Sequence, residues 1–294
     1  MVRSPPVPRQ DGRSAGSVEA RDAHARVPTV AGSTPEALWS SSAVRLLQPA
    51  AVTCRGLRKR VGRAQVLDGV ELAVRAGTRL LLVASPDAAA SLTVRILAGL
   101  AHPDAGEIEV AGISRREGVS RWARRMAYVG PRTALYPWMS PREVLDLAGR
   151  LADMGRAEGR VRIERAIARW GIAASLDRPL RAAGPGVAQR TAMAAALLIE
   201  PEVLLLDEPL RAIEPEQRVR LLRIPGPRRT VILASRYPAS EAGAVNEVAL
   251  LRGGRVALHA PLTALEARGL PLSHRGIESL ADSTGVEAPR LASP

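Results

Sequence analysis

Two adjacent acids carry the clearest chemistry in this sequence. The run EPEVLLLDEP places Asp207 and then Glu208 directly after an apolar stretch. A hydrophobic strand that delivers an acid pair to its C-terminal edge is the arrangement that Mg²⁺ coordination and water activation require. An acidic pair that merely ends a strand at the surface is the plain alternative. A second stretch, Ala84-Ser85-Pro86-Asp87-Ala88-Ala89-Ala90-Ser91-Leu92, lies between a continuous apolar run and a helical pattern. Backbone N–H groups meet anions at such strand-to-helix turns, and glycines let them wrap the anion. This turn has neither a glycine nor a lysine.

The hydrophobic pattern defines the elements that must position these residues. VTCRGL and VELAV open the core, and TRLLLVA reads as a buried central strand because its apolar run is unbroken. SLTVRILAGL has helical spacing, Pro103-Asp104-Ala105-Gly106 is a turn, and EIEVAG is a short strand. Helix formers dominate from 141 to about 200, broken near Gly171, Pro179 and Pro185, which predicts an inserted helical lobe. The sheet resumes with EVLLLDEP and TVILAS, and EVALLRGGRVALH predicts a hairpin turning at Gly253-Gly254. Residues 1–50 are rich in Pro, Ser, Gly, Ala and Arg without a period, which predicts a disordered arm. Residues 266–294 read as a C-terminal tail, loose past about 275, and no internal repeat is evident.

With 46% apolar residues, the 294-residue chain can bury one two-lobed domain with tails. Its single cysteine, Cys54, excludes an internal disulfide and a multi-thiolate metal site and fits a reducing compartment. The longest apolar stretches, around Leu80–Ala84 and Ala194–Ile199, fall far short of the ~18 residues that span a bilayer. An N-terminus without an apolar h-region predicts no secretory signal and a cytoplasmic location. The formal charge of +13 comes almost wholly from arginine, since Lys59 is the only lysine. The arginines are scattered among acids, and three tyrosines and four tryptophans offer little for stacking on bases, so nucleic acid is not an expected partner.

Taken in order, LAGL, PDAGEIEVAG, MAYV, LYPWMSPREVL, EPEVLLLDEP and TVILASR resemble the ATP-binding cassette (ABC) family of transporter nucleotide-binding subunits across roughly residues 51–265. The resemblance implies an α/β, P-loop NTPase-like cassette with a mixed sheet core and an inserted helical lobe at about 132–196. It also implies ATP and Mg²⁺ as ligands. Asp207 would support the ion and Glu208 would polarise the attacking water. Ser91 would be the hydroxyl ligand of the ion or, more plainly, a helix N-cap.

The phosphate loop falls on Ser85, Ala89, Ala90, Ser91 and Leu92, with Ala90 at the lysine position. Pro86 removes a donor, and Asp87 sets negative charge beside the phosphates. Each lost charge-assisted hydrogen bond is worth roughly 1.5–3 kcal/mol. Val61 stands where the family stacks an aromatic on adenine, and Gly130-Pro131-Arg132 where it carries a glutamine. The signature falls on Ala183-Gly184-Pro185-Gly186-Val187, which keeps the glycine Gly186 with Gly184 two residues before it. Arg236 takes the place of the histidine that holds the γ-phosphate, and LRAIEPEQR resembles the family's dimer-contacting loop.

The expected function is a cassette subunit with impaired ATP binding and hydrolysis, cytoplasmic and peripheral on the inner face of the cell membrane. Its expected partners are a second, active cassette in a heterodimer and a transmembrane permease contacted around Tyr136–Leu147. The alternative is a catalytically inactive cassette-fold scaffold or regulatory protein that needs no ATP.

Overall fold

The structure, a computed structural model, describes residues 50–85, 88–224 and 229–284. Residues 1–49 of the expected arm, Pro86 and Asp87 of the expected phosphate loop, and residues 285–294 of the expected tail lie outside the described residues.

Strands β1 (Ala50–Val61) and β2 (Ala64–Arg75) form a long antiparallel ribbon. Then come β3 (Arg79–Ser85) and helix α1 (Ala88–Leu97). Next are β4 (Ala105–Val110), β5 (Ile113–Ser114), the short helix α2 (Val119–Ala123) and β6 (Met126–Val129). The chain is then mostly helical through α3 (Pro141–Leu151), α4 (Arg156–Trp170), α5 (Leu180–Ala183) and α6 (Pro185–Leu198). β7 (Val203–Asp207), α7 (Pro215–Arg223) and β8 (Thr230–Ala234) return to the sheet. β9 (Glu247–Arg252), β10 (Arg255–Pro261), α8 (Thr263–Glu266) and α9 (His274–Thr284) close the described chain.

The strands form two sheets: a four-stranded one in the order β2-β1-β4-β5, and a six-stranded one in the order β10-β9-β3-β8-β7-β6. In the second, β9, β3, β8, β7 and β6 run parallel and β10 is antiparallel, so the core sheet is mixed. Parallel strands covered on both faces read as unbroken apolar runs. Accordingly Leu80, Leu81, Leu82 and Val83 of β3 are all fully buried. Leu80 and Leu82 join one hydrophobic cluster with α1 and the β1–β2 ribbon, and Leu81 and Val83 join a second with residues of α4, α6 and α9. Burial of each such side chain is worth about 1.5–3 kcal/mol.

Local signals set the helix ends. Ser140 and Glu143 form a reciprocal capping box at the start of α3, with Pro141 in the first turn. Gly171 closes α4 in the left-handed region at φ 60°. The segment read as a tail from 266 onward differs from that expectation. Within it α9 buries Ile277, Leu280 and Ala281 in the second cluster, and Arg252 of β9 donates to Asp282 at 2.7 Å.

The β9–β10 hairpin turns at Gly253-Gly254, with Arg252 paired to Arg255 and positive φ at both glycines, 59° and 77°. Gly254 also docks the hairpin on β2. Its carbonyl accepts from the Asp68 N–H at 2.8 Å, and a Cβ on it would lie 2.8 Å from that nitrogen. Gly253 faces open space. Gly253→Ala should cost only the left-handed strain of about 1–2 kcal/mol. Gly254→Ala adds the clash and should lower Tm by at least about 5 °C, at ~2–4 °C per kcal/mol. Equal losses in a thermal melt would contradict this contact.

Candidate functional site

Asp207 is the last residue of β7, in register with Ala234 of β8, and its side chain has no solvent exposure. Three groups donate to it. The Ser91 hydroxyl lies 2.6 Å from Oδ1, while the Tyr128 hydroxyl and Arg95 Nε each lie 3.2 Å from Oδ2. Ser91 and Arg95 are four residues apart on α1, so one helix face presents both. Tyr128 comes from β6, the neighbour of β7.

These contacts move the proton affinities of the donors. Burial pulls the Arg95 guanidinium down, but the Asp207 charge and the hydrogen bonds with Tyr128 and Asp207 hold it above its ordinary value. Burial, reinforced by the Asp207 charge, raises the Tyr128 phenol. Asp207 is therefore satisfied by two hydroxyls and one cation.

Glu208 follows at φ 48°, the left-handed region, with its N–H bonded to the Ala234 carbonyl at 2.9 Å. Its largely buried carboxylate accepts from Arg236 twice, from the backbone N–H at 2.8 Å and from Nε at 3.1 Å. Arg211 lies 3.9 Å from its other oxygen. Arg236, expected at the histidine position, thus binds Glu208, the residue expected to polarise the water.

Ser91, Leu92, Asp207, Glu208 and Arg236 all line one open cleft of about 530 Å³. Val61 and Val66 give it an apolar rim, with Val61 55% exposed, and Pro131, from the Gly130-Pro131-Arg132 stretch expected in place of the glutamine, also lines it. The other sequence candidates sit elsewhere. Ala89 and Ala90 are buried in the core cluster under β3, so the lysine position faces the protein interior. Ser85 is exposed at the edge of β3, paired with Arg252. Gly184 and Gly186 begin α6 beside the loop that follows Glu208, where Gln189 Oε1 accepts from the Ala212 N–H at 2.9 Å, and neither lines the cleft. Lys59 is held by Asp104 at 2.7 Å.

Ser91 is the fourth residue of α1, so it does not cap that helix, and its hydroxyl goes to Asp207 instead. Arg95, Tyr128 and Arg211 were not singled out from the sequence. The i, i+4 spacing of Ser91 and Arg95 was the available signal for the first. No local pattern marks Tyr128, whose role depends on β6 lying beside β7.

This α/β fold, with an acid pair at the edge of a parallel strand facing a strand-to-helix turn, defines a P-loop NTPase-like cassette. The model of the ABC transporter family matches residues 67–211. An aliphatic-sulfonate import ATP-binding protein of Nocardia farcinica is 33% identical over 226 residues, covering 75% of this chain and 86% of the relative. A daunorubicin-resistance ATP-binding protein of Streptomyces coeruleorubidus is 31% identical over 210 residues, covering 70% and 66%. A solved ATP-binding subunit of an ABC transporter superposes with a TM-score of 0.69 at 22% identity, covering 80% of this chain and 100% of that one. The chain belongs to the ATP-binding subunits of the ABC transporter family. It spans from 47% to 66% of the length of most of the curated relatives it matches. Among the described residues no helix is long and apolar enough to cross a membrane.

Because Asp207 organises its donors, its loss should cost more than the loss of any one of them. Asp207→Ala leaves two hydroxyls and a guanidinium without their acceptor and should lower the unfolding free energy by about 2–3 kcal/mol, against ~1 for Tyr128→Phe. Urea unfolding midpoints at constant m-value check this ordering.

Proposed function

We propose that this chain is an ABC transporter cassette subunit with impaired ATP binding and hydrolysis, working beside a second, active cassette and a membrane permease. One observation carries this reading: Asp207 is already satisfied by Ser91, Tyr128 and Arg95, while Ala90 stands where the family's lysine would be. These residues do not fit Mg²⁺ and ATP in the family's manner. A cation-binding carboxylate needs lone pairs to offer, and three donors, one of them a guanidinium, already take most of the roughly four acceptor sites of this one. No lysine ammonium faces the cleft to meet the phosphates.

In the family, two cassettes sandwich ATP between the phosphate loop of one and the signature of the other. A homodimer of this chain would carry both defects in both sites. Beside an intact cassette, the start of α6 with Gly184 and Gly186 would face the partner's functional phosphate loop. The relatives are named for sulfonate import in one case and daunorubicin resistance in another, which supports transport as the class and selects no cargo. On this reading the chain works in the cytoplasm, peripheral on the inner face of the cell membrane through its permease.

The permease contact falls on the segment before and through α3. Tyr136 and Trp138 stack at 4.9 Å between ring centroids there and stay 55% and 60% exposed. Exposed aromatic pairs of this kind anchor interfaces. A second reading, a scaffold that needs no ATP, draws on Glu208, whose carboxylate is bound by Arg236.

Calorimetric titration of Mg-ATP into the purified chain, with and without Glu208→Gln, tests the nucleotide claim. Binding weaker than millimolar is expected in both, and micromolar binding to the unaltered chain would refute it. Co-purification from native membranes then decides between the readings, since the first requires a second cassette and the scaffold does not. Trp138→Ala should reduce permease recovery at least fivefold with Tm unchanged; undiminished recovery would place the permease contact elsewhere.

A further inference from the structure

Away from the cleft, four arginines converge on a second cavity of about 230 Å³ beside α4, the C-terminal end of α6 and the start of β8. Arg162, Arg165 and Arg169 follow one another at three- and four-residue intervals and so share one face of α4. Arg229 enters from the segment leading into β8. Trp170 supplies an apolar wall, and Glu200 is the one acid in the lining.

Backbone carbonyls, two of them at helix ends, hold three of these side chains in place. Arg162 Nη1 donates to Leu198 O at 3.2 Å and Arg169 Nη2 to Ile224 O at 2.6 Å, where α6 and α7 end. Arg229 Nη1 donates to Pro201 O at 2.7 Å. Arg162 also pairs with Glu158 at 2.8 Å and with Glu200 at 3.5 Å. Capping explains one donor on each of these guanidiniums, and a guanidinium has five. It does not explain Arg165, which is exposed, or the excess of the four arginines over Glu158 and Glu200. Burial lowers the proton affinity of Arg229; Glu200 opposes this, and the like charge of Arg169 adds to it.

We propose that this cavity is a binding site for a small phosphate-bearing anion, gripped by Arg165, Arg169 and Arg229. Arginine forks match phosphate oxygens in pairs, and an anion between them would relieve their mutual repulsion. The cavity has room for several waters, enough for a diphosphate or a small phosphate ester. The phosphate could come from a free metabolite or from a phospholipid headgroup. The site is independent of the nucleotide reading, since it shares no residue with the Asp207 cleft.

Sodium diphosphate titrated calorimetrically into the full chain, against chloride at matched ionic strength, tests the free-anion arm. Flotation with phosphatidylcholine vesicles, with and without phosphatidic acid, tests the headgroup arm. Diphosphate should bind with a sub-millimolar Kd, weakened at least tenfold by Arg165→Glu and changed less than twofold by Arg95→Ala, which alters the other cleft. Arg165 is exposed on a helix surface, so its reversal spares the fold, and Arg169→Ala provides a second variant. Vesicle binding that requires phosphatidic acid and is lost in Arg165→Glu, without free diphosphate binding, assigns the site to a headgroup. The proposal is overturned if neither probe binds better than its control. It is equally overturned if Arg165→Glu and Arg169→Ala bind like the unaltered chain, or if Arg95→Ala alone abolishes binding.

Discussion

A carboxylate with no exposure to water must find its donors inside the protein or lose its charge. Asp207 meets that constraint at the end of β7, and much of the surrounding architecture serves it. β6 must lie beside β7 to bring Tyr128, and α1 must leave β3 at the angle that turns Ser91 and Arg95 toward the same carboxylate. The four groups tie one helix and two strands into one hydrogen-bonded unit. In this structure the acid serves as an internal acceptor for all three donors.

The sheet makes that arrangement possible by dividing the core. Alternate residues of β3 enter different clusters, with Leu80 and Leu82 on the side of α1 and Leu81 and Val83 on the side of the helices that follow β6. Ala89 and Ala90 continue the first cluster into α1. A lysine at position 90 would have to carry its ammonium out of that cluster, so the apolar loop and the packing of α1 against β3 are consistent with each other.

What the sequence made legible follows from how local each signal was. The unbroken run of β3, the capping box Ser140–Glu143 and the glycine pair of the β9–β10 hairpin are each encoded within a few residues, and each appears where the pattern places it. Asp207 and Glu208 were visible as chemistry because a strand end fixes their position. Their partners were not, because Tyr128, Arg95 and Arg211 reach them only through tertiary placement. α9 was missed for a related reason: Ile277, Leu280 and Ala281 have helical spacing, but among Ser, Asp, Arg and Gly they form a stripe too narrow to stand out before the core that buries it is known. The N-cap expectation for Ser91 failed because the helix begins at Ala88, four residues before the Leu92 start that role requires.

Composition also takes on a different meaning once the charges are placed. A chain with one lysine must make its cation contacts with arginine, whose planar fork serves carboxylates, carbonyls and phosphates alike. In the Asp207 cleft the forks meet acids of nearly matching number: Arg95 faces Asp207, and Arg236 with Arg211 faces Glu208. On the outer face of α4 four guanidiniums face Glu158 and Glu200, which both pair with Arg162, while Arg169 and Arg229 are anchored by neutral carbonyls. The net charge of the protein therefore says little about either place. The balance within each cavity is what distinguishes a closed ion-pair network from a surface that still attracts an anion.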